Sequence, residues 1–291
     1  MNGLSIVIPV FNEVKSINNT VKNIKKNLDN FDFNSEVIFV NDGSTDNTKD
    51  VLINEISGLE RFRVIEHDRN KGYGAALKTG IEKSKYEFIA ITDADDTYPN
   101  ERIEEFYNIF LNNNLDMLVG ARIGKNVQIP IIRRPAKWIL QILSSYLAEY
   151  NIPDLNSGFR IMNKKIINKF MHILPDGFSF TTTITLAMLT NRFNVRYEKI
   201  DYFSRSGSSK IRPIYDTLNF TQLIIRTILL FNPLKIFLPI SMLMFLVSLT
   251  LLSYRIFYGE GFGVTAIILF VGAVQILAIG MLADLINRRL N

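Results

Sequence analysis

Leu4-Ser5-Ile6-Val7-Ile8-Pro9-Val10-Phe11-Asn12-Glu13 is the stretch that decides the fold. Its apolar run is unbroken by the alternation of a half-solvated strand, as expected of a strand covered on both faces. It has no basic flank and ends at once in Asn12-Glu13, so it is too short for a signal peptide or a membrane span. Working outward from the strand-like run Leu4–Val10, further such runs occur at Glu36–Asn41, Arg63–Glu66, Tyr86–Thr92 and Asp116–Gly120. Helix-like stretches separate them at Glu13–Leu28, Thr45–Ile56, Gly74–Ser84 and Asn100–Asn112. Strand and helix alternating in this way predict βαβ units and an α/β fold with a mostly parallel sheet.

Ligands of such sheets bind beyond the carboxyl ends of the strands, which makes the residues there the first candidates for function. Pro9-Val10-Phe11-Asn12-Glu13 follow the first strand, Asn41-Asp42-Gly43-Ser44 the second and Asp93-Ala94-Asp95-Asp96 the fourth. Three strand ends thus carry acidic groups toward one crevice. Asp93-x-Asp95 suits a hard divalent cation, Mg²⁺ or Mn²⁺, held by carboxylates and by the phosphates of a substrate. By itself it is equally at home in a turn. Asp42-Gly43-Ser44-Thr45-Asp46 also reads as a turn, feeding a helix capped by Ser44 or Thr45. Asn70-Lys71-Gly72-Tyr73-Gly74 is glycine-rich but lacks the Gly-Lys-Ser/Thr ending of a P-loop and the dinucleotide fingerprint.

The composition adds a second component. The 291 residues are 47% hydrophobic and only 21% charged, which excludes a disordered chain. There is no cysteine and there are two histidines, His67 and His172, which excludes disulfide scaffolds, cysteine-rich zinc sites and a catalytic thiol. The apolar excess is concentrated near the C-terminus. Ile236 to Tyr254 is uncharged, and about 19 residues at ~1.5 Å per residue approach the ~30 Å hydrocarbon core. A second uncharged run extends from Gly261 to Ala283. Two transmembrane helices are predicted at about 235–257 and 262–285, within a segment 233–291. The loop Tyr258-Gly259-Glu260-Gly261 carries no Lys or Arg, whereas Arg288-Arg289 and the region before residue 213 are basic. That asymmetry predicts a multi-pass plasma-membrane protein with its catalytic domain and both termini in the cytoplasm, Arg255 being a minor contrary charge.

Two stretches lie between sheet and membrane. Arg122 to Ala148 holds five basic residues and no acid, and after Pro135 its apolar side chains recur at helical spacing. Residues 213–232 repeat that spacing. Both are expected to form amphipathic helices at the lipid interface, the first over about 135–150. Packing against the sheet is the alternative for each.

Taken together, the ordered series resembles glycosyltransferase family 2. It comprises Ile6-Val7-Ile8-Pro9-x-x-Asn12-Glu13, Val40-Asn41-Asp42-Gly43-Ser44-x-Asp46, Asn70-x-Gly72-x-Gly74-x-Ala76 and Asp93-x-Asp95. Asp154-Leu155-Asn156-Ser157-Gly158-Phe159-Arg160 and Arg205-x-Gly207-x-Ser209-Lys210 are similar to its polyprenyl-phosphate branch, the relatives of dolichyl-phosphate mannosyltransferase. The resemblance implies a Rossmann-like GT-A domain over 1–212 that binds a nucleotide-sugar. Pro9, Phe11, Glu13, Asp42, Lys71, Gly72, Asp93 and Ala94 match donor nucleotide positions. Asp93 and Asp95 match the metal–diphosphate site, with Asp95 and Asp154 as catalytic candidates. The implied acceptor is a polyprenyl phosphate, undecaprenyl or dolichyl, whose phosphate needs cations more than a general base. Arg122, Arg133, Arg134, Arg205, Ser209 and Lys210 are the candidates to hold it. This explains the net charge of +5 better than nucleic acid does.

The expected reaction is transfer of one sugar from a UDP- or GDP-sugar to that lipid phosphate with inversion, the last implied by the family. A homo-oligomer is possible. Thr97 stands where mannosyltransferases of the branch carry a Gln thought to assist the metal, which bears on metal preference and donor identity. The Gln-x-x-Arg-Trp motif of processive synthases is missing, since Trp138 is the only tryptophan. Two other readings are a transferase acting on a non-phosphate lipid or lipid-linked glycan, in which Arg205 and Lys210 are dispensable, and a non-catalytic membrane scaffold. Asp154 has an open alternative as a structural partner for Arg160 or another cation.

Overall fold

A computed structural model describes residues 3–259 except 124–140, 147, 178, 204–221 and 223, and residues 263–290. The chain forms two compact units, Met1–Leu223 and Ile224–Asn291.

The first unit is an α/β sheet domain. Its strands are β1 (Leu4–Val10), β2 (Ser35–Asn41), β3 (Phe62–Glu66), β4 (Phe88–Ile91), β5 (Met117–Arg122), β6 (Arg160–Asn163) and β7 (Val195–Ile200), in the order β3-β2-β1-β4-β6-β5-β7. All pairs are parallel except the two made by β6, which runs antiparallel to β4 and β5. The helices are α1 (Ile17–Leu28), α2 (Thr48–Ile56), α3 (Tyr73–Lys83), α4 (Ile103–Asn112), α5 (Lys164–Phe170) and α6 (Phe180–Thr190).

Burial explains the sequence pattern. On β1, Leu4, Ile6, Ile8 and Val10 face one layer of the core together with Ile17, Val21 and Ile24 of α1 and Phe106 and Phe110 of α4. Val7 faces the opposite layer, where Gly80 lets α3 lie directly against it. Both sides of the strand are covered, so its residues are apolar without alternation.

In the second unit, α7 (Leu234–Tyr258) and α8 (Gly263–Leu290) form a hairpin. Both are long and apolar enough to cross a membrane, and only 11% and 17% of their most apolar windows are buried. Ser241 and Ser248 of α7 donate across to the carbonyls of Ala273 and Ala266, at 2.8 and 2.7 Å. Backbones approach this closely because alanine and serine are small. Leu243, Met242 and Ile256 of α7 and Ile267 of α8 point outward, each at least 60% exposed.

The stretch expected to be an interfacial helix at 135–150 lies outside the described residues up to 140. Residues 141–146 are helical, with Ile142 and Tyr146 exposed on one side and Ser144 buried. The helix expected at 213–232 is described only at 222 and 224–232, of which 222 and 224–231 are helical. One local reading is corrected: neither Ser44 nor Thr45 caps α2. The helix begins at Thr48, and Asp46 accepts from the Thr48 amide and hydroxyl. Ser44 and Thr45 instead meet Asn12, so their hydroxyls join two loops rather than end a helix.

Candidate active site

The carboxyl ends of β2, β1 and β4 are neighbours in the sheet, so the loops they feed share one edge. The first two loops are laced together. Asn12, in the left-handed region at φ 57°, donates its amide to the Ser44 hydroxyl at 3.0 Å, and its side-chain oxygen accepts from the Thr45 amide at 2.8 Å. Glu13 donates its amide to the Thr48 hydroxyl at 2.9 Å. Pro9 is half-buried at the end of β1 and the Phe11 ring is 39% exposed beside it.

Asp42 is 2% exposed, and its carboxylate organises the glycine-rich loop. One oxygen accepts from the Lys71 amide at 2.9 Å and the other from the Gly72 amide at 2.8 Å. His67 donates its Nδ1–H to the first oxygen at 2.6 Å, while Nε2 meets the Thr79 hydroxyl at 2.9 Å. A carboxylate oxygen in this contact accepts, so the proton lies on Nδ1 of His67. The loop also needs its glycines. A Cβ on Gly72 or Gly74 would collide with the carbonyl oxygens of Asp176 and Pro175, and Gly72 has φ 106°. His67 was missed by sequence reasoning; a lone histidine outside any motif gives no signal until the fold brings it under Asp42.

The third loop carries Asp93, Ala94 and Asp95. Tyr73 donates its hydroxyl to Asp93 at 3.0 Å. Burial, followed by the Asp93 charge, pushes the Tyr73 phenol well above its ordinary range, so it remains a donor. Gly158 lies against the same carboxylate: a Cβ there would sit 3.1 Å from both Asp93 oxygens. Asp95 accepts from the Thr97 hydroxyl at 2.6 Å and the Thr97 amide at 3.3 Å. Buried Ala94 is fixed through its carbonyl by the Thr20 hydroxyl at 3.0 Å. Among the described residues no group of three or more His, Cys, Asp or Glu side chains could enclose a metal. A divalent ion on Asp93 and Asp95 would therefore complete its shell with water and a ligand's phosphate oxygens, the habit of Mg²⁺ and Mn²⁺. The all-oxygen donor set fits these ions.

Asp154 is 2% exposed and pairs with Arg122 in a bidentate fork, 2.7 Å to Nε and 2.9 Å to Nη2, and accepts from the Arg122 amide at 3.0 Å. The guanidinium lies over the Tyr202 ring at 5.2 Å. Its Nη1 has no hydrogen-bond partner among the described residues. Of the two structural partners weighed for Asp154, the other cation is realised. Arg160 is buried in the core and donates to the carbonyls of Ser157 and Thr181 and to the Thr185 hydroxyl, and burial lowers its pKa. Arg133, Arg134, Arg205, Ser209 and Lys210 lie outside the described residues.

Residues 5–171 match the glycosyl transferase family 2 model, and residues 232–288 match the GtrB C-terminal hairpin. The chain belongs to glycosyl transferase family 2. It is a glycosyltransferase with a membrane hairpin appended. Among similar curated proteins is a dolichyl-phosphate hexose transferase of Haloferax volcanii, 28% identical over 211 residues, 72% of this chain and 87% of that one. Another is the UDP-N-acetylglucosamine–dolichyl-phosphate N-acetylglucosaminyltransferase of Methanococcus voltae, 30% identical over 182 residues, 56% of this chain and 70% of that one. The fold is shared with glucosyl-3-phosphoglycerate synthase of Mycobacterium tuberculosis, solved with Mn²⁺, UDP and glucosyl-3-phosphoglycerate. The TM-score is 0.58 at 17% identity, covering 78% of this chain and 79% of that one.

Proposed function

We propose that this glycosyltransferase moves a single sugar from a nucleotide-sugar to a polyprenyl phosphate at the cytoplasmic face of the plasma membrane, with a GT-A domain over 1–212 and two spans within 233–291. The observation that carries the reading is the conjunction, in one chain, of a glycosyl transferase family 2 domain bearing Asp93-x-Asp95 at a strand end with a GtrB-type hairpin. The two dolichyl-phosphate transferases among its relatives support the acceptor class. The Mn²⁺–UDP complex of the structural relative supports the donor class.

Pro9, Phe11 and Glu13 face the nucleoside, and Asp42 holds Lys71 and Gly72 in place for the donor. Asp93 and Asp95 would hold Mg²⁺ or Mn²⁺, which supplies charge neutralisation for the departing nucleoside diphosphate. An acceptor phosphate oxygen forms the new bond to the anomeric carbon as the bond to the diphosphate breaks, and the diphosphate leaves with the electron pair. Attack from the opposite face inverts the centre. The acceptor is already anionic, so no proton has to be removed. Asp154 accordingly serves to orient Arg122, whose Nη1 edge is the one available to a phosphate. Arg133, Arg134, Arg205, Ser209 and Lys210 complete the cationic set.

The test is transfer from labelled nucleotide-sugars by the full chain in detergent with Mg²⁺ or Mn²⁺. Undecaprenyl or dolichyl phosphate is compared with the corresponding polyprenol and with diacylglycerol. Label is expected in the organic phase with the phosphates only. Equal labelling of a phosphate-free lipid, or none with any common UDP- or GDP-sugar, would overturn the reading.

A further inference from the structure

The dipeptide Thr97-Tyr98 follows the third loop of the site and touches both of its halves. Thr97 is fully buried. Its hydroxyl and amide both donate to Oδ1 of Asp95, at 2.6 and 3.3 Å, and its carbonyl accepts from the Phe203 amide at 3.0 Å. Tyr98 is only 4% exposed, and its hydroxyl accepts from the Gly158 amide at 2.8 Å. Gly158 is the residue pressed against the Asp93 carboxylate. The Tyr98 ring stacks on Phe159 at 5.8 Å and meets Tyr202 edge-on at 5.4 Å. Tyr202 in turn lies under the Arg122 guanidinium, at 5.2 Å. Three loops are fastened at this point: the one after β4, the one before β6 and the one after β7. β7 stands three places from β4 in the sheet, about 14 Å at ~4.8 Å per strand. Strand pairing alone therefore does not bring Phe203 to Thr97.

We propose that Thr97 and Tyr98 are positioning residues of the transfer reaction, holding the carboxylates of Asp95 and Asp93 in register with the Arg122 cation. A carboxylate that binds a metal keeps its orientation through hydrogen bonds from the groups behind it, and losing one such partner costs roughly 10–100-fold in metal affinity. Thr97 supplies that bond to Asp95 directly. Tyr98 acts on Asp93 through Gly158, where an added methyl would sit 3.1 Å from both carboxylate oxygens. A phosphate at Arg122 and a diphosphate at Asp93 and Asp95 have to be presented to one sugar carbon, and a misplacement of about 1 Å can cost a hundredfold in rate. A buried dipeptide bonded to both sides fixes that spacing more firmly than either loop does alone. The inference rests on the metal and acceptor roles proposed above for these residues.

Mn²⁺ titrated into the detergent-solubilised full chain with UDP or GDP, followed by electron paramagnetic resonance, reads the metal site apart from turnover. Thr97→Val keeps the side-chain shape and drops the hydroxyl. It is expected to weaken Mn²⁺ binding about tenfold, whereas Thr97→Ser should stay within about twofold of the parent. Tyr98→Phe keeps the ring contacts and removes only the acceptor of the Gly158 amide. It should lower kcat for transfer to undecaprenyl phosphate about tenfold, with the acceptor KM within about twofold. Parental Mn²⁺ affinity in Thr97→Val, an equal loss in Thr97→Ser, or a parental kcat in Tyr98→Phe would overturn the proposal. A parent chain that binds no Mn²⁺ with either nucleotide would instead overturn the metal site beneath it, and the proposal with it.

Discussion

Buried polar groups are used differently in the two units of this molecule. In the sheet domain, carboxylates anchor loops: Asp42 gathers two amides and an imidazole, and Asp154 grips one guanidinium with both oxygens. In the hairpin, two serine hydroxyls each meet one carbonyl of the facing helix. The difference follows from the reference state. An unfolded soluble segment gives water back its polar groups, so an orphaned carboxylate in the fold carries a full desolvation cost. A separated membrane helix already satisfies its backbone, and a serine can bond to its own helix, as Ser253 does to Leu249.

The contrast can be broken at graded strength. Asp95→Ala is expected to lower transfer by roughly a thousandfold, the several kcal/mol that charge neutralisation at a diphosphate supplies, while the melting temperature stays near that of the parent. Arg122→Met should destabilise the sheet domain by about 3 kcal/mol in denaturant titration, because the buried Asp154 carboxylate loses its bidentate cationic partner. A double change, Arg122→Met with Asp154→Leu, should recover much of that loss if the pair is a desolvation problem, yet leave transfer impaired. Gly74→Ala should cost about 1–3 kcal/mol, since the added methyl meets the Pro175 carbonyl, and should weaken donor binding through the displaced loop. Ser241→Ala and Ser248→Ala should each cost only about 0.6 kcal/mol in a steric-trapping measurement of hairpin separation. Serine losses as large as the arginine loss would abolish the distinction.

Most of the legible sheet has two-sided burial. β1 was bounded to the residue, and β2, β4 and β5 to within two residues, because mainly apolar runs mark them; β3 was bounded as closely although it is a half-buried edge strand containing Arg63. β6 gave no such signal. It is four residues long, begins at Arg160 and sits at the end of the Ser157-Gly158-Phe159-Arg160 motif, which drew the eye to chemistry. β7 interrupts its apolar residues with Arg196, Glu198 and Lys199, as an edge strand does. α6 is buried nearly all round, so it has no polar face to give it a helical period, and its threonines are β-branched residues of modest helix propensity.

Of the candidate site, the carboxylates were legible through motif order, but their partners were not. Nothing in the sequence joins Asp42 to His67, Asp93 to Tyr73 or Asp154 to Arg122, pairs separated by 25, 20 and 32 positions. These depend on which strand ends become neighbours. The Ser44 and Thr45 reading failed for the same reason: hydroxyls placed to cap a helix were recruited by Asn12 from a different loop.

The central claim is that Asp93 and Asp95 hold a divalent ion beneath a nucleoside diphosphate. Calorimetric titration of the detergent-solubilised full chain with UDP and with GDP, with and without Mn²⁺, tests it most directly. One of the two nucleotides should bind with Mn²⁺ present and at least tenfold more weakly without it, and Asp95→Asn should abolish the metal's effect. Binding of equal strength with and without the ion, or an Asp95→Asn chain that keeps the enhancement, would contradict it.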